Sequence, residues 1–281
     1  MTNLTKLFVS TILLLTACTT RLPRSNSEYA QTSAMITLEN KHSGGSGVIV
    51  RSYPNGSLIL TNKHVCNLIQ NGGVVSTDEG TYPVYSFQVY KRHDLCLIKV
   101  LANLHENTQL ASKAPDTYSN MTIAGHPALL PTIVTHGNFA HHINIDVMIG
   151  SQPCDGHEAD NDAFMCLLTG QKPLVQSFEA QPVTATIMAG SSGSGVFNSQ
   201  GEISGLVFAG EQGLSYGFIV PYEYVKDFLT HSNEYVVQYP DPNAKPQNFF
   251  ISSFFNMQSI CEENPANCKG MMLPSLYNEQ P

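Results

Sequence analysis

Short apolar runs, broken by Gly, Pro, Ser and Asn, dominate the chain and predict many strands rather than long helices. Residues 35–38 alternate between apolar and polar positions, as a half-buried strand does. Similar runs follow at 58–61, 82–90 and 94–100, and a polar stretch at 102–119 separates them from a second set. The second set lies near 120–125, 132–140, 143–150, 163–169, 182–188, 195–199, 203–209 and 214–220. Many short strands separated by turns predict a β-rich protein, and a chain of 281 residues has room for one large or two small domains.

Residues 221–231 have a helical pattern instead. Pro221 suits the first turn of a helix, and Tyr224, Val225, Phe228 and Leu229 fall on one face. Residues 232–281 are rich in proline and predict a C-terminal extension, to which we assign no role.

The start of the chain predicts a targeting segment followed by a tether. Residues 1–17 combine one lysine with an apolar run at 7–15, shorter than the roughly 20 residues that span a membrane, which is typical of a signal peptide. Leu15-Thr16-Ala17-Cys18 resembles a bacterial lipobox, which implies that Cys18 becomes a lipidated first residue. The alternative is an ordinary signal peptide with an incidental Cys18. Polar residues at 18–33 predict a flexible tether.

A lipidated Cys18 would anchor the protein to the cell envelope, because acyl chains hold a soluble body at a membrane surface. The next residue is Thr19 rather than Asp, which by resemblance to sorting signals favours the outer membrane. We therefore expect a membrane partner through the anchor, with the protein facing the periplasm or the cell surface.

Composition narrows the classes of partner. Of the 281 residues 42% are apolar, only 13% are charged, and the net charge is −8. Nucleic acid is not an expected partner, because binding it requires a basic face. His141 and His142 have no second ligand pair at metal-like spacing, and the acidic residues at 155–162 lack the ordered spacing of a calcium loop. We expect neither a metal nor another cofactor.

The cysteines indicate an oxidising compartment. Cys154 and Cys166, like Cys261 and Cys268, bracket short loops and are natural local pairs. Cys66 follows His64 by two residues and Cys96 follows Asp94 by two, so these cysteines can bridge if His64 and Asp94 meet. The alternative is that Cys66 and Cys96 are two small buried apolar residues.

The segment at 189–197, Ala-Gly-Ser-Ser-Gly-Ser-Gly-Val-Phe, places hydroxyls among glycines that bring backbone N–H groups close together. Acyl transfer requires this combination, although a Gly/Ser hairpin loop is the plainer interpretation. A serine nucleophile also needs a histidine base and an acid that orients it. His64 follows a strand-like run, and Asp94 opens another. His93 is expected on the opposite strand face, exposed.

These blocks resemble the motifs of trypsin-like (chymotrypsin-fold) serine endopeptidases, in particular bacterial Deg/Htr proteases and glutamyl endopeptidases. Residues 61–65 resemble Thr-Asn-x-His-Val, and residues 94–100 resemble Asp-Leu-Ala followed by two apolar residues and Lys-Val. Residues 190–198 resemble Gly-Asn-Ser-Gly-Gly-Pro-Val-Phe-Asn, with Ser194 and Gly195 where the family usually has Gly-Pro.

The resemblance implies two six-stranded antiparallel Greek-key β-barrels with the active site in the cleft between them, and a C-terminal helix. The peptidase domain would span 34–231, with barrel one at about 34–101, barrel two at about 120–221 and the helix at 221–231. Residues 232–281 are too few for the PDZ domain that Deg/Htr proteases usually carry.

By this resemblance Ser192 is the nucleophile, His64 the base and Asp94 the residue that orients the base, while the N–H groups of Gly190 and Ser192 form the oxyanion hole. Ser194 and, less favourably, Ser191 are the competing nucleophiles. The implied function is endopeptidase cleavage of polypeptides through an acyl-enzyme. The alternatives are a catalytically inactive protease-fold lipoprotein that binds peptides or envelope proteins, and an unrelated β-rich lipoprotein with chance motifs.

The same register places Thr186 at the base of the primary substrate pocket and Phe208, Ala209 and Gly210 along its wall. No acid stands at the base, so a preference for Arg or Lys is not expected. No histidine stands at the wall position typical of Glu-specific enzymes. The residual expectation is a preference for small or apolar residues.

Overall fold

The computed structural model describes residues 24–38, 43–154, 166, 170–210 and 215–244. The predicted signal peptide, the lipidation site Cys18, the pair Cys261 and Cys268, and most of the C-terminal extension lie outside the described residues. None of the helices in the described part of the chain is both long enough and apolar enough to cross a membrane.

The described helices are short, as the scarcity of helical patterns predicts. They are α1 (Asn26–Gln31), α2 (Lys63–Leu68) and α3 (Tyr222–Thr230), with 3₁₀ turns at Pro127–Leu129 and Ser232–Glu234. Helix α1 lies inside the segment for which the sequence predicts a tether. A reciprocal capping box between Ser25 and Glu28 begins α1, and Tyr29 is buried with its ring centroid 5.0 Å from that of Phe197. The end of that segment is therefore packed on the β-structure.

Barrel one is a closed six-stranded antiparallel sheet. Its strands run in the order β5-β4-β1-β2-β3-β6, and β6 pairs back onto β5. The short strand β14 pairs with Phe87 and Gln88 of β5, beyond the part of β5 that pairs with β4. The bounds are β1 (Ser33–Thr37), β2 (Gly44–Tyr53), β3 (Gly56–Thr61), β4 (Val74–Thr77), β5 (Gly80–Val89), β6 (Cys96–Val100) and β14 (Val237–Gln238).

Barrel two is built from a second sheet with the order β8-β7-β11-β12-β13-β10-β9. A bridge between Phe139 and Val183 joins the end of β8 to the end of β10 and closes the ring, while β9 extends β10 as a long hairpin. The bounds are β7 (Asn120–Gly125), β8 (Ile133–Asn138), β9 (Ile143–Pro153), β10 (Gln171–Val183), β11 (Gly195–Phe197), β12 (Ile203–Gly210) and β13 (Gly217–Pro221).

Each barrel has its own apolar core, and a third cluster joins the two barrels. The joining cluster brings Leu60 and Leu97 of barrel one together with Leu206 and Phe218 of barrel two. Helix α3 belongs to this cluster through Phe228, whose ring centroid lies 5.2 Å from that of Tyr90. The fold is the chymotrypsin-like pair of barrels with a C-terminal helix, as the sequence predicts.

Candidate active site

His64 lies in the first turn of α2, which follows directly after the end of β3. Thr61 ends β3, and both Thr61 and Asn62 are fully buried. The Asn62 side-chain amide donates a hydrogen bond to the Asp94 carbonyl at 2.9 Å. This bond holds the start of α2 against the loop before β6, so that His64 and Asp94 become neighbours.

Asp94 binds His64 through both of its carboxylate oxygens. The Nδ1 atom of His64 lies 2.6 Å from Asp94 Oδ2, and the His64 backbone N–H donates to Oδ1 at 3.0 Å. Burial alone would raise the pKa of the Asp94 carboxyl, but the charge and hydrogen bonds of His64 outweigh it and hold that pKa below its ordinary value. Asp94 is therefore an ionised acceptor, which fixes a proton of the His64 ring on Nδ1.

A disulfide between Cys66 and Cys96 ties the same two segments together. Cys66 is in α2, two residues after His64, and Cys96 begins β6, two residues after Asp94. The structure therefore contains the bridge that the sequence left open. A second disulfide joins Cys154 to Cys166 beyond the end of β9.

His93 is buried, contrary to the exposed position that strand alternation predicts. It lies in the loop before β6, where strand alternation does not apply. Its Nδ1 accepts the Asp94 backbone N–H at 2.8 Å, so Nε2 carries the proton and donates to the Glu179 carbonyl of β10 at 2.7 Å. Burial lowers the pKa of His93. The ring thus connects the Asp94 loop of barrel one with barrel two.

The loop at 189–194 is folded tightly against barrel one. Gly190 and Gly193 have φ of 88° and 90°, the left-handed region that favours glycine. The Ser192 carbonyl accepts the backbone N–H of Ser46 at 2.7 Å, and the Gly190 carbonyl accepts Ser46 Oγ–H at 2.7 Å. A Cβ on Gly193 would lie 1.9 Å from the Ser46 carbonyl oxygen, so no other residue type fits there. Ser46, in β2, was not singled out from the sequence.

Gly45 shows how close Ser192 comes to the His64 segment. A Cβ on Gly45 would lie 2.7 Å from Val65 Cγ2 and 2.8 Å from the Ser192 carbonyl oxygen. Val65 directly follows His64, so the Val65 side chain and the Ser192 carbonyl both lie against this glycine. Among the described residues Ser192 Oγ has no hydrogen-bond partner, and no hydrogen bond joins it to the His64 ring.

The three serines of this loop differ in exposure. Ser192 is half-buried, whereas Ser191 and Ser194 are buried. Ser191 Oγ lies 3.4 Å from the Met188 backbone N–H. Ser194 Oγ points toward Gly125, where a Cβ would lie 1.7 Å from it, and it has no hydrogen-bond partner in the described structure.

The loop at 126–130 supports the peptide bond between Ala189 and Gly190. Ala128 has the unusual φ of 53° and donates its N–H to the Ala189 carbonyl at 2.6 Å. In a trans peptide the N–H points away from the C=O, so the Gly190 N–H is directed away from Ala128. The amides of Gly190 and Ser192 donate to no acceptor within the described part of the chain. Sequence reasoning missed Ala128, since nothing in an alanine signals positive φ.

The residues that the sequence assigns to the substrate pocket differ in burial. Thr186, placed by sequence at the base of the pocket, is exposed, whereas its neighbours Ala185 and Ile187 are buried. Side chains thus alternate along 185–188, with Ala185 and Ile187 on the inward side. Phe208 is buried with its ring edge toward His93, and Ala209 is buried, while Gly210 lies against Ile187.

A cleft lies between the barrels beside His64. His64 and Asp94 line it from barrel one, and Val147, Phe178 and Phe208 line it from the second sheet. No group of three or more His, Cys, Asp or Glu residues suited to a metal ion occurs among the described residues.

Comparison with known proteins identifies the family. The model of the trypsin-like peptidase domain matches residues 45–206, which is more than half of the 281 residues. The chain belongs to the trypsin-like peptidase domain family. The match begins at Gly45 in β2 and ends at Leu206 in β12. It therefore includes His64, Asp94 and Ser192.

Solved structures of bacterial proteases share this fold at low sequence identity. The active form of the Rv3671c protease from M. tuberculosis has 15% identity and a TM-score of 0.53, over 80% of this chain and 90% of that one. An inactive form of the same protease has 15% identity and a TM-score of 0.52, over 74% of this chain and 96% of that one. A serine endoprotease from Yersinia pestis has 19% identity and a TM-score of 0.52, over 74% of this chain and 66% of that one. A search of curated proteins gives no significant match.

Proposed function

We propose that the protein is a serine endopeptidase that hydrolyses polypeptides through Ser192, His64 and Asp94. The observation that carries the proposal is the paired contact of Asp94 with the ring and backbone of His64 at the edge of the cleft, with Ser192 on the adjoining loop. A serine nucleophile needs a base within reach and an acid that orients the base, and the Asp94–His64 contacts support the second of these requirements.

In the first step Ser192 Oγ attacks the scissile carbonyl carbon, and its proton passes to His64 Nε2. The carbonyl oxygen becomes an oxyanion, which the N–H groups of Gly190 and Ser192 would stabilise, since neither has an acceptor in the described part of the chain. His64 then gives its proton to the leaving amine as the C–N bond breaks. Water, deprotonated by His64, hydrolyses the ester and restores Ser192. Asp94 holds the Nδ1 proton throughout and stabilises the imidazolium.

The exposure of the three serines supports Ser192 as the nucleophile. A substrate carbonyl must reach the attacking oxygen, and Ser191 and Ser194 are buried. Ser194 Oγ also faces Gly125 of barrel two.

The second candidate is a catalytically inactive protease-fold protein that binds peptides. The missing hydrogen bond between Ser192 Oγ and His64 favours it. We prefer the enzyme because catalytic hydrogen bonds are often long before substrate binds, whereas the contacts of Asp94 are already made.

Hydrolysis of an unstructured protein such as casein tests the proposal. Wild type and Ser194→Ala should cleave it, and Ser192→Ala should lose activity by a factor of about 10⁴ or more, with an unchanged thermal midpoint. Equal activity in wild type and Ser192→Ala would contradict the proposal, and so would a well-folded wild type that cleaves no peptide.

We also propose that the protein is lipid-anchored in the cell envelope. The Leu15–Cys18 motif supports an anchor, and two disulfides suit an oxidising compartment. Metabolic labelling with a fatty acid should mark the wild type and not Cys18→Ser. Equal labelling of both, or labelling of neither, would contradict the anchor.

A further inference from the structure

The residue that precedes the scissile bond has a defined place if the proposed function holds. Its carbonyl carbon must lie at Ser192 Oγ, with the oxygen toward the Gly190 and Ser192 amides. The Gly193 N–H donates to the Val207 carbonyl at 2.8 Å, which fixes this loop to β12. Strand β11 pairs with β12 only as far as Leu206. Beyond that point Gly210 lies against Ile187, and a substrate carbonyl held in this way would direct its side chain into the gap between β12 and the segment at 187–191.

Ile187 occupies that gap. Gly210 and Gly217 are directly paired across β12 and β13. A Cβ on Gly210 would lie 2.6 Å from Ile187 Cγ2, and one on Gly217 would lie 2.1 Å from Ile187 Cδ1. The Ile187 side chain therefore lies in contact with the bare backbone of both glycines and takes the space that two missing side chains leave. Only 4% of Ile187 is exposed, so it is packed in place.

The surroundings of Ile187 are apolar. It belongs to the core of barrel two with Ile123, Val196, Val207 and Ile219. A charged substrate side chain entering here would lose its hydration without gaining a partner among these residues. A long or aromatic side chain would have to displace a branched side chain from a packed core.

We propose that Ile187 is the specificity-determining residue of this peptidase, and that it fills the primary pocket so that cleavage follows residues with small, uncharged side chains, Ala and Gly first. The inference rests on the proposed function and deepens it. It replaces Thr186 with Ile187 as the residue that sets the depth of the pocket.

A set of peptides that differ only at the residue before the scissile bond tests this. Wild type should cleave after Ala with a kcat/KM at least about 10-fold above that for Leu, and further above that for Phe or Arg. Ile187→Ala should raise the Leu-to-Ala ratio by about 10-fold or more. Thr186→Ala, one residue away and exposed, is the matched control and should leave the ratio unchanged.

Ile187→Val keeps the inference testable if Ile187→Ala does not fold. It removes one methyl group from the core, should fold, and should raise the Leu-to-Ala ratio in the same direction by a smaller factor. A wild type that cleaves equally well after Phe or Leu would overturn the inference and leave the proposed function intact. A ratio that Ile187→Val and Ile187→Ala leave unchanged, or that Thr186→Ala shifts instead, would also overturn it. A wild type that hydrolyses none of the peptides or casein would contradict the proposed function itself.

Discussion

Asp94 accepts two hydrogen bonds from His64, one from the ring Nδ1 at 2.6 Å and one from the backbone N–H at 3.0 Å. One carboxylate thus fixes both the ring and the first turn of the helix that carries it. The disulfide between Cys66 and Cys96, two residues beyond each partner, holds the same two segments covalently. His64 and Asp94 are therefore held together by local links within barrel one.

Replacing the Asp94 carboxylate by an amide should disturb the orientation and tautomer of the His64 ring without unfolding the protein. Asp94→Asn keeps the size of the side chain but allows its amide to face Nδ1, which favours the wrong tautomer of His64. We expect kcat to fall by about 10⁴-fold. Asp116→Asn, at an exposed carboxylate paired with Lys113, is the control and should retain full activity. A decrease of less than about 10-fold in Asp94→Asn would argue that Asp94 does not orient the base.

The loop at 126–130 should control the oxyanion hole. Ala128→Pro removes the N–H that holds the Ala189 carbonyl and cannot adopt the φ of 53° found there. We expect kcat to fall by about 10²-fold with little change in KM, since the lost stabilisation belongs to the transition state. Ala128→Gly keeps the N–H, favours positive φ and should remain active. Equal kcat in the two variants would contradict this role.

The two disulfides should differ in their effect on activity. Removing the bridge with Cys66→Ala and Cys96→Ala together should lower the free energy of unfolding by about 2–4 kcal/mol and also lower kcat, because the bridge joins the His64 and Asp94 segments. Removing Cys154 and Cys166 should leave kcat unchanged. Denaturant unfolding and peptide hydrolysis measure the two effects. A Cys66/Cys96 double variant with normal kcat would show that hydrogen bonds alone position the base.

The buried His93 should make stability depend on pH. Its pKa in the folded protein is below the ordinary value of 6.5, so the unfolded chain binds the proton more readily. The contribution of His93 is therefore complete above about pH 6.5 and is lost as the pH falls below that value. His126, with a pKa also lowered by burial, should act in the same direction.

Thermal midpoints at pH 7.5 and pH 5.5 measure this dependence. His93→Gln can keep hydrogen bonds to the Asp94 and Glu179 backbones without titrating, so its midpoint should fall less between the two pH values than that of the wild type. His141→Gln, at an exposed ring, should behave as the wild type. Identical pH dependence in all three proteins would contradict the prediction.

Much of the fold was predictable because the strands that build both barrels carry clear patterns. The alternation at 94–100 and the apolar runs at 120–125 and 203–209 correspond to β6, β7 and β12. Strand β10 was missed from Gln171 onward, because its outer half forms a hairpin with β9 that is exposed on both faces and has no apolar alternation.

The candidate site was predictable at positions where the chemistry requires a particular residue type. It was not predictable at positions where only the backbone conformation or the packing of a side chain matters. The flanking residues of His64, Asp94 and Ser192 made them candidates. Ala128 and Ile187 have no polar or reactive side-chain group. The role proposed for Ala128 depends on its positive φ, and that of Ile187 on its contacts with Gly210 and Gly217, which are distant in sequence. The exposed position predicted for His93 was wrong, because strand alternation does not reveal a buried ring that hydrogen-bonds to the backbones of Asp94 and Glu179.

The site of covalent modification by a fluorophosphonate tests the central claim most directly, since such a reagent reacts much faster with a serine activated by a base than with an ordinary serine. The modified protein is digested, and the adduct is located by peptide mass spectrometry. We predict one adduct, on Ser192, that is absent from His64→Ala. An adduct on Ser191 or Ser194, or no adduct on well-folded protein, would contradict the account.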